Sequence, residues 1–272
     1  MKIDLTYKCS MGCNHCMSAC DKNGQEMSLE TLNDVCNFIH DRKIDTISPV
    51  ILAITGGEIF EHSQIIECLD MIFNRFGSRT NIGFTLSTNG RILSETPEYL
   101  DYLKTMMRKY KRILIQVTDD ERFYPTKLDQ KQRYHLEKIG SVIDSVPGSK
   151  GDRNKCLYPQ GRALQNFDER YWYTRAPKCV NCRLLTQQGV RTFKDLVRMM
   201  TEAGKQCTPT ISPLGEIKLG ESRLCPPVAS IYDLDKDIFN KILNFKCNSC
   251  KESLNIFRQS DPVLSSILYQ EK

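Results

Sequence analysis

The chain has 272 residues, 40% hydrophobic and 26% charged, with a formal net charge of +5, the composition of a globular protein of one large domain or a domain with a small appendage. No run of 18 apolar residues exists, so a single spanning helix is not expected. The 38 basic and 33 acidic residues are interleaved, which describes a solvated surface rather than a nucleic-acid footprint.

Residues 2–7 read as a first strand, followed over 8–25 by a loop rich in Cys, Gly, Asn and Ser. Ser28 then caps a helix to about residue 43, with Leu32, Val35, Phe38 and Ile39 as its apolar stripe. The apolar run 49–55 stops at Gly56-Gly57 and reads as a strand buried on both faces. A helix over 63–76, a strand over 81–87, a helix over 96–110 and a strand over 112–118 follow. A helix over 128–138 and a short strand over 141–146 complete the alternation. Strand and helix therefore alternate at least four times, which predicts a parallel α/β architecture with right-handed crossovers. Loops at the carboxyl ends of such strands carry function. The cysteine loop, Gly56-Gly57-Glu58 and Ser87–Gly90 all occupy that position. After about residue 172 the pattern changes to two Cys-x-x-Cys pairs, a helix over 192–203 and a hairpin over 210–219 turning at 213–215. That tail reads as a small unit pinned by metal rather than by a core.

Thirteen cysteines without a secretory signal segment predict metal or cluster ligation in a cytoplasmic protein, not disulfides. Cys9, Cys13 and Cys16 have the spacing C-x3-C-x2-C. Three thiolates can bind three irons of a cubane and leave the fourth open to chelate a cofactor's amino and carboxylate groups. Two glycines at Gly56-Gly57 allow close backbone approach, and the Glu58 carboxylate can accept from an ammonium. Cys36 and Cys68 fall on apolar helix faces and read as core residues; Cys20 reads as a free or packed thiol. In the tail, Cys179 and Cys182 form one pair and Cys247 and Cys250 another, while Cys207 and Cys225 flank the hairpin. Four such thiolates fit either zinc or a [4Fe–4S] cluster.

The cysteine spacing, its place after a first strand, the Thr55-Gly56-Gly57-Glu58 strand end and Ser87-Thr88-Asn89-Gly90 together resemble the radical S-adenosylmethionine superfamily over roughly the first two-thirds of the chain. The resemblance implies a partial parallel (β/α)6 barrel over residues 1–175 that cleaves S-adenosylmethionine on the cluster of Cys9, Cys13 and Cys16. It implies cofactor contacts from His15, which stands where the family has an aromatic residue against the adenine, and from Gly56, Gly57, Glu58, Ser87, Thr88 and Asn89. Gln116 stands where family members often have a Ser. Tyr158-Pro159-Gln160-Gly161-Arg162 is similar to a P-x-G-R segment of members with a C-terminal cluster domain, which sends Arg162 to the cofactor carboxylate or a substrate anion. Residues 176–272 resemble a shortened SPASM or twitch domain. That implies an auxiliary [4Fe–4S] cluster on Cys207, Cys225, Cys247 and Cys250, with Cys179 and Cys182 as substitutes or a second site. Proteins of this arrangement modify ribosomally made peptides or act on small molecules, and a flavodoxin or ferredoxin supplies the electron. Non-catalytic cluster or zinc binding is the reading from another class. For the acid/base residue, Asp119, Glu121, Tyr124 and Cys156 lie in suitable loops and nothing in their spacing selects one.

Overall fold

The computed structural model describes residues 1–120, 122–144, 157–172, 189–202, 208–220 and 222–245. Its centre is one eight-stranded sheet in the order β5-β4-β3-β2-β1-β6-β7-β8. The strands are β1 (Lys2–Thr6), β2 (Val50–Gly56), β3 (Ile82–Thr88), β4 (Ile113–Thr118), β5 (Val142–Asp144), β6 (Thr210–Ile211), β7 (Glu216–Lys218) and β8 (Ala229–Ser230). β1 to β5 are parallel and adjacent in chain order, so the sheet is wound in one direction, as in part of a barrel. Helices α1 (Leu29–Asp41), α2 (Ile65–Phe76), α3 (Arg91–Glu95), α4 (Pro97–Lys109) and α5 (Gln130–Lys138) lie in the crossovers. The α/β partial-barrel expectation therefore holds.

Local chemistry places these elements. The Ser28 hydroxyl accepts from Thr31 N at 3.1 Å and starts α1. Asp129 and Gln132 form a reciprocal capping box at the head of α5, satisfying two otherwise orphan N–H groups. Burial alternates along the strands. Val50, Leu52 and Ile54 are fully buried against the core, while Ile51 is 50% exposed. On β4, Ile115 and Val117 are fully buried while Leu114 is 42% exposed. The expectation that residues 49–55 are buried on both faces is thus corrected. One face of the sheet carries helices and the other is open, so a nearly continuous apolar run here does not mean two covered faces. Each fully buried Ile or Leu contributes about 1.5–3 kcal/mol. Cys36 and Cys68 are buried in this core as predicted, and burial pushes both thiols up to about 12.

The tail differs from its expected build. The hairpin is present, with β6 antiparallel to β7, but β6 also pairs in parallel with β1, Lys2 opposite Thr210 and Ile3 opposite Ile211. The sheet thus runs across the 175/176 division drawn from the sequence. Helices α7 (Phe193–Glu202) and α8 (Asp235–Asn244) place Phe193, Leu196, Val197, Ile238 and Ile242 in the same apolar core as β1–β4. The described tail residues are therefore held by burial as well as by any metal. Among the described residues no helix is long and apolar enough to cross a membrane.

Candidate functional site

The carboxyl ends of the parallel strands converge on the cysteine loop. β1 ends at Thr6, and the loop that follows is stitched to the end of β2: Gly57 N donates to Thr6 O at 2.6 Å and Glu58 N to Lys8 O at 2.8 Å. A Cβ on Gly57 would lie 2.2 Å from Lys8 O, so only glycine permits this approach. Cys13 is buried, and Cys9 and Cys16 are half-buried. Burial pushes the Cys9 thiol up to about 11 and the Cys13 thiol up to about 12; the nearby charge of Cys16 adds to both, and that of Cys9 to Cys13. A hydrogen bond between Cys16 and Cys20 pulls Cys16 down and pushes Cys20 up. The structure thus brings Cys9, Cys13 and Cys16 together and adds the packed Cys20 beside them. No three His, Cys, Asp or Glu side chains among the described residues are grouped for a single metal ion. Three thiolates on one loop are the donor chemistry of a cubane, in which each takes a different iron.

Glu58 lies at the centre of the strand ends and is 1% exposed. Its Oε1 accepts from Thr88 Oγ1 at 2.6 Å and Phe60 N at 3.1 Å, and its Oε2 from Asn89 N at 2.7 Å. Burial pushes its carboxyl up to about 7, against those three bonds. A buried carboxyl in that state suits a cationic partner such as an ammonium. Thr88 faces Glu58 and also accepts from Gly90 N at 2.9 Å. Ser87 and Gln116 are register partners on neighbouring strands and share the open face.

The His15 ring stands 5.0 Å from that of Tyr124 and 5.4 Å from that of Phe123. Burial lowers its pKa, which favours the uncharged ring, and Nδ1 lies 3.3 Å from Phe123 O. Tyr124 has Cys13, Glu58 and Cys9 as electrostatic neighbours and hydrogen-bonds the Thr118 side chain, and burial raises its hydroxyl pKa. Asp119 behaves differently. Its Oδ2 pairs with Arg133 and its Oδ1 accepts from Leu128 N at 3.2 Å, which anchors the loop after β4. Asp120 is likewise bound by Arg122 at 2.8 Å.

Arg162 opens α6 (Gly161–Asn166). Its guanidinium donates to Cys13 O at 2.8 Å and Cys20 O at 2.9 Å. The structure therefore turns it onto the backbone of the cysteine loop rather than toward an open pocket. Cys225 is buried and is tied to the same loop through its neighbours: Ser222 Oγ donates to Met17 O at 2.9 Å and Arg223 N to Ser18 Oγ at 3.1 Å. Glu121, Cys156, Cys179, Cys182, Cys207, Cys247 and Cys250 lie outside the described residues.

Two features escaped sequence reading. Glu61 accepts from Ser10 N and from the Ser10 hydroxyl, both at 2.8 Å. Lys218 is buried with Nζ donating to Arg223 O at 2.7 Å and lying 3.3 Å from the Tyr7 hydroxyl, which hydrogen-bonds Asp4. The strict alternation of Ile3 and Leu5 with Asp4 and Thr6 is the signal that puts Asp4 on the inner side of β1.

No protein-family model matches the chain. A GTP 3′,8-cyclase of Alkaliphilus oremlandii is 30% identical over 127 residues, 45% of this chain and 36% of that protein. The antilisterial bacteriocin subtilosin biosynthesis protein AlbA of Bacillus subtilis is 29% identical over 108 residues, 39% of this chain and 21% of that protein. The matched segments thus span about a third and a fifth of those relatives. The structure of anSMEcpe with bound AdoMet and Cp18Cys peptide superposes with a TM-score of 0.50 over 93% of this chain and 82% of that one, at 16% identity; the likeness is one of fold. In its partial barrel and the cysteine loop at the strand ends, and in the partial matches to these relatives, the chain is similar to the radical S-adenosylmethionine superfamily.

Proposed function

We propose that the chain is a radical S-adenosylmethionine enzyme whose [4Fe–4S] cluster is held by Cys9, Cys13 and Cys16. The observation that carries this reading is the convergence of three thiols at the strand ends beside the buried Glu58 carboxyl. A cluster and S-adenosylmethionine held there would supply, on taking one electron and releasing methionine, a 5′-deoxyadenosyl radical able to take hydrogen from a substrate and become 5′-deoxyadenosine. Glu58 and the carbonyls of Gly56 and Gly57 would receive the methionyl ammonium. Thr88 and Asn89 hold Glu58 in place, and Ser87 and Gln116 would meet the ribose and carboxylate from the open side. His15, with Tyr124 and Phe123 behind it, offers the adenine a flat neutral surface. Tyr124 keeps its proton throughout the neutral range and stands as the candidate to move one near the reacting centre.

The substrate reading is a peptide, with side-chain crosslinking, epimerisation or oxidation as the outcome. It is supported by the likeness to a bacteriocin biosynthesis protein and to a fold solved with a bound peptide. A small molecule or nucleotide is the second reading, favoured by the likeness to a GTP cyclase. An auxiliary [4Fe–4S] cluster on Cys207, Cys225, Cys247 and Cys250 belongs to the same proposal, with Cys179 and Cys182 as further ligands. The seating of Cys225 beside the cysteine loop supports it. A flavodoxin or ferredoxin supplies the electron. Anaerobic reconstitution followed by dithionite tests the core of the reading. Release of 5′-deoxyadenosine from S-adenosylmethionine by the wild type, and its loss in Cys13→Ala, is expected. No release from an iron-loaded wild type overturns it.

A further inference from the structure

The cysteine loop has few hydrogen bonds of its own. Cys16 N donates to Cys13 O at 3.2 Å, Ala19 N to Cys16 O at 3.2 Å and Cys9 N to Asp21 O at 2.9 Å. The rest of its fixing comes from outside. At one end Glu61 grips Ser10. At the other, Arg162 makes three contacts: Nε to Cys13 O at 2.8 Å, the second guanidinium nitrogen to Cys20 O at 2.9 Å, and its backbone N to Cys16 O at 3.0 Å. Gly161 has φ 56°, and a Cβ there would lie 2.6 Å from Met17 O and 2.7 Å from Cys16 O. The start of α6 therefore lies flat on the loop, and Asn166 reaches Asn14 O from the next turn.

We propose that Arg162 is a positioning residue for the cluster loop: it sets the backbone of Cys13, Cys16 and Cys20 and places a fixed positive charge against that loop. It acts on the cluster's holder, not on the cofactor's carboxylate. The proposal rests on the reading that Cys9, Cys13 and Cys16 hold the cluster. Two features of the side chain make arginine the right residue. Its planar fork donates to two carbonyls at once, which an ammonium cannot do with the same reach. Its fixed positive charge also offsets the negative charge of three thiolates and a reduced cluster, which raises the reduction potential.

Full-length wild type, Arg162→Gln, Arg162→Lys and the surface control Arg170→Gln, whose side chain is 78% exposed, are reconstituted anaerobically. Iron and sulfide per chain, the rate of iron loss to a ferrous chelator, the cluster midpoint potential and S-adenosylmethionine affinity by EPR titration are measured. Arg162→Gln is expected to lose iron about ten-fold faster, the effect of removing two charge-assisted hydrogen bonds, with a more negative midpoint. Arg162→Lys keeps the midpoint near that of the wild type but not the slow iron loss, and Arg170→Gln changes neither. Unchanged iron loss and midpoint in Arg162→Gln overturn the proposal. So does unchanged iron loss together with weakened S-adenosylmethionine binding, which returns Arg162 to the cofactor carboxylate. Circular dichroism identifies folded variants. If Arg162→Gln does not fold, iron loss from Arg162→Lys decides, and wild-type retention there overturns the proposal. A wild type that assembles no four-iron cluster instead overturns the cluster reading, and this proposal with it.

Discussion

The buried carboxyl of Glu58 makes stability depend on pH in a direction opposite to that of an ordinary surface acid. Its carboxyl titrates near 7 in the fold, against 4.5 for a free glutamate. Between those values the unfolded chain releases the proton and the folded chain keeps it. Stability is therefore full below about pH 4.5 and falls as pH rises through 7, by about 3 kcal/mol in all. Glu58→Gln removes that dependence because the amide stays neutral. It pays for this elsewhere: one amide oxygen cannot accept from both Asn89 N and Phe60 N, which lie 2.7 and 3.1 Å from the two carboxyl oxygens. The unpaired N–H costs about 1–3 kcal/mol at every pH. Urea denaturation of the cluster-free protein at pH 5, 6, 7 and 8 reads both effects; the Cys9 thiol, which the Glu58 charge also raises, titrates at about 11, above that range. The wild type is expected to be the more stable at pH 5, with the difference closing or reversing by pH 8. Parallel curves across that range refute the reasoning, since they mean that Glu58 ionises as a solvated acid does.

Other consequences are as specific. Gly57→Ala forces a Cβ to within 2.2 Å of Lys8 O and should cost about 1–3 kcal/mol, read as a lower thermal midpoint; an unchanged midpoint contradicts the close approach of the β1 and β2 ends. Asp119→Asn leaves Arg133, whose side chain is 30% exposed, without its partner and should cost about 1–2 kcal/mol after allowing for solvent. The rate of 5′-deoxyadenosine release per folded molecule should stay within two-fold of the wild type, and a ten-fold loss at unchanged stability assigns Asp119 to the chemistry. Tyr124→Phe keeps the ring beside His15 and removes the hydroxyl near Cys13 and Glu58. Cofactor cleavage should persist in it while conversion of the substrate radical to product falls; equal loss of both marks the hydroxyl as part of the cofactor pocket instead.

Much of this was legible in the sequence where the signal is periodic. Strands β1 to β5 fall within two residues of their expected starts, and the Ser28 cap and the hairpin at β6 and β7 stand where their residues put them. What escaped was short or long-range. α3 and α6 have five and six residues, too few for an apolar stripe to declare itself. α8 carries only Ile238, Phe239 and Ile242 as its buried side. Half-exposure of Ile51 depends on which face receives helices, and a run of apolar residues does not encode that. The thiols, Glu58 and Ser87–Asn89 lie at strand ends, as their place after each apolar run in the sequence indicates. The grip of Arg162 on Cys13, 149 residues away, has no local signature.

The pairing of β6 with β1 joins Lys2 to Thr210, and it orders events during synthesis. The cysteine loop leaves the ribosome early, but Arg162, Ser222 and Arg223, which fix its backbone, follow much later. At about 5–20 residues per second, roughly 10–40 s separate the two ends of that pairing. Through this interval the thiols of a nascent chain stand on a loop braced by Glu58 and Glu61 at its first end alone, beside an open sheet edge. Cluster delivery before the tail arrives would meet a loop without those braces, so the non-local closure of β6 on β1 bears on maturation as well as on the fold.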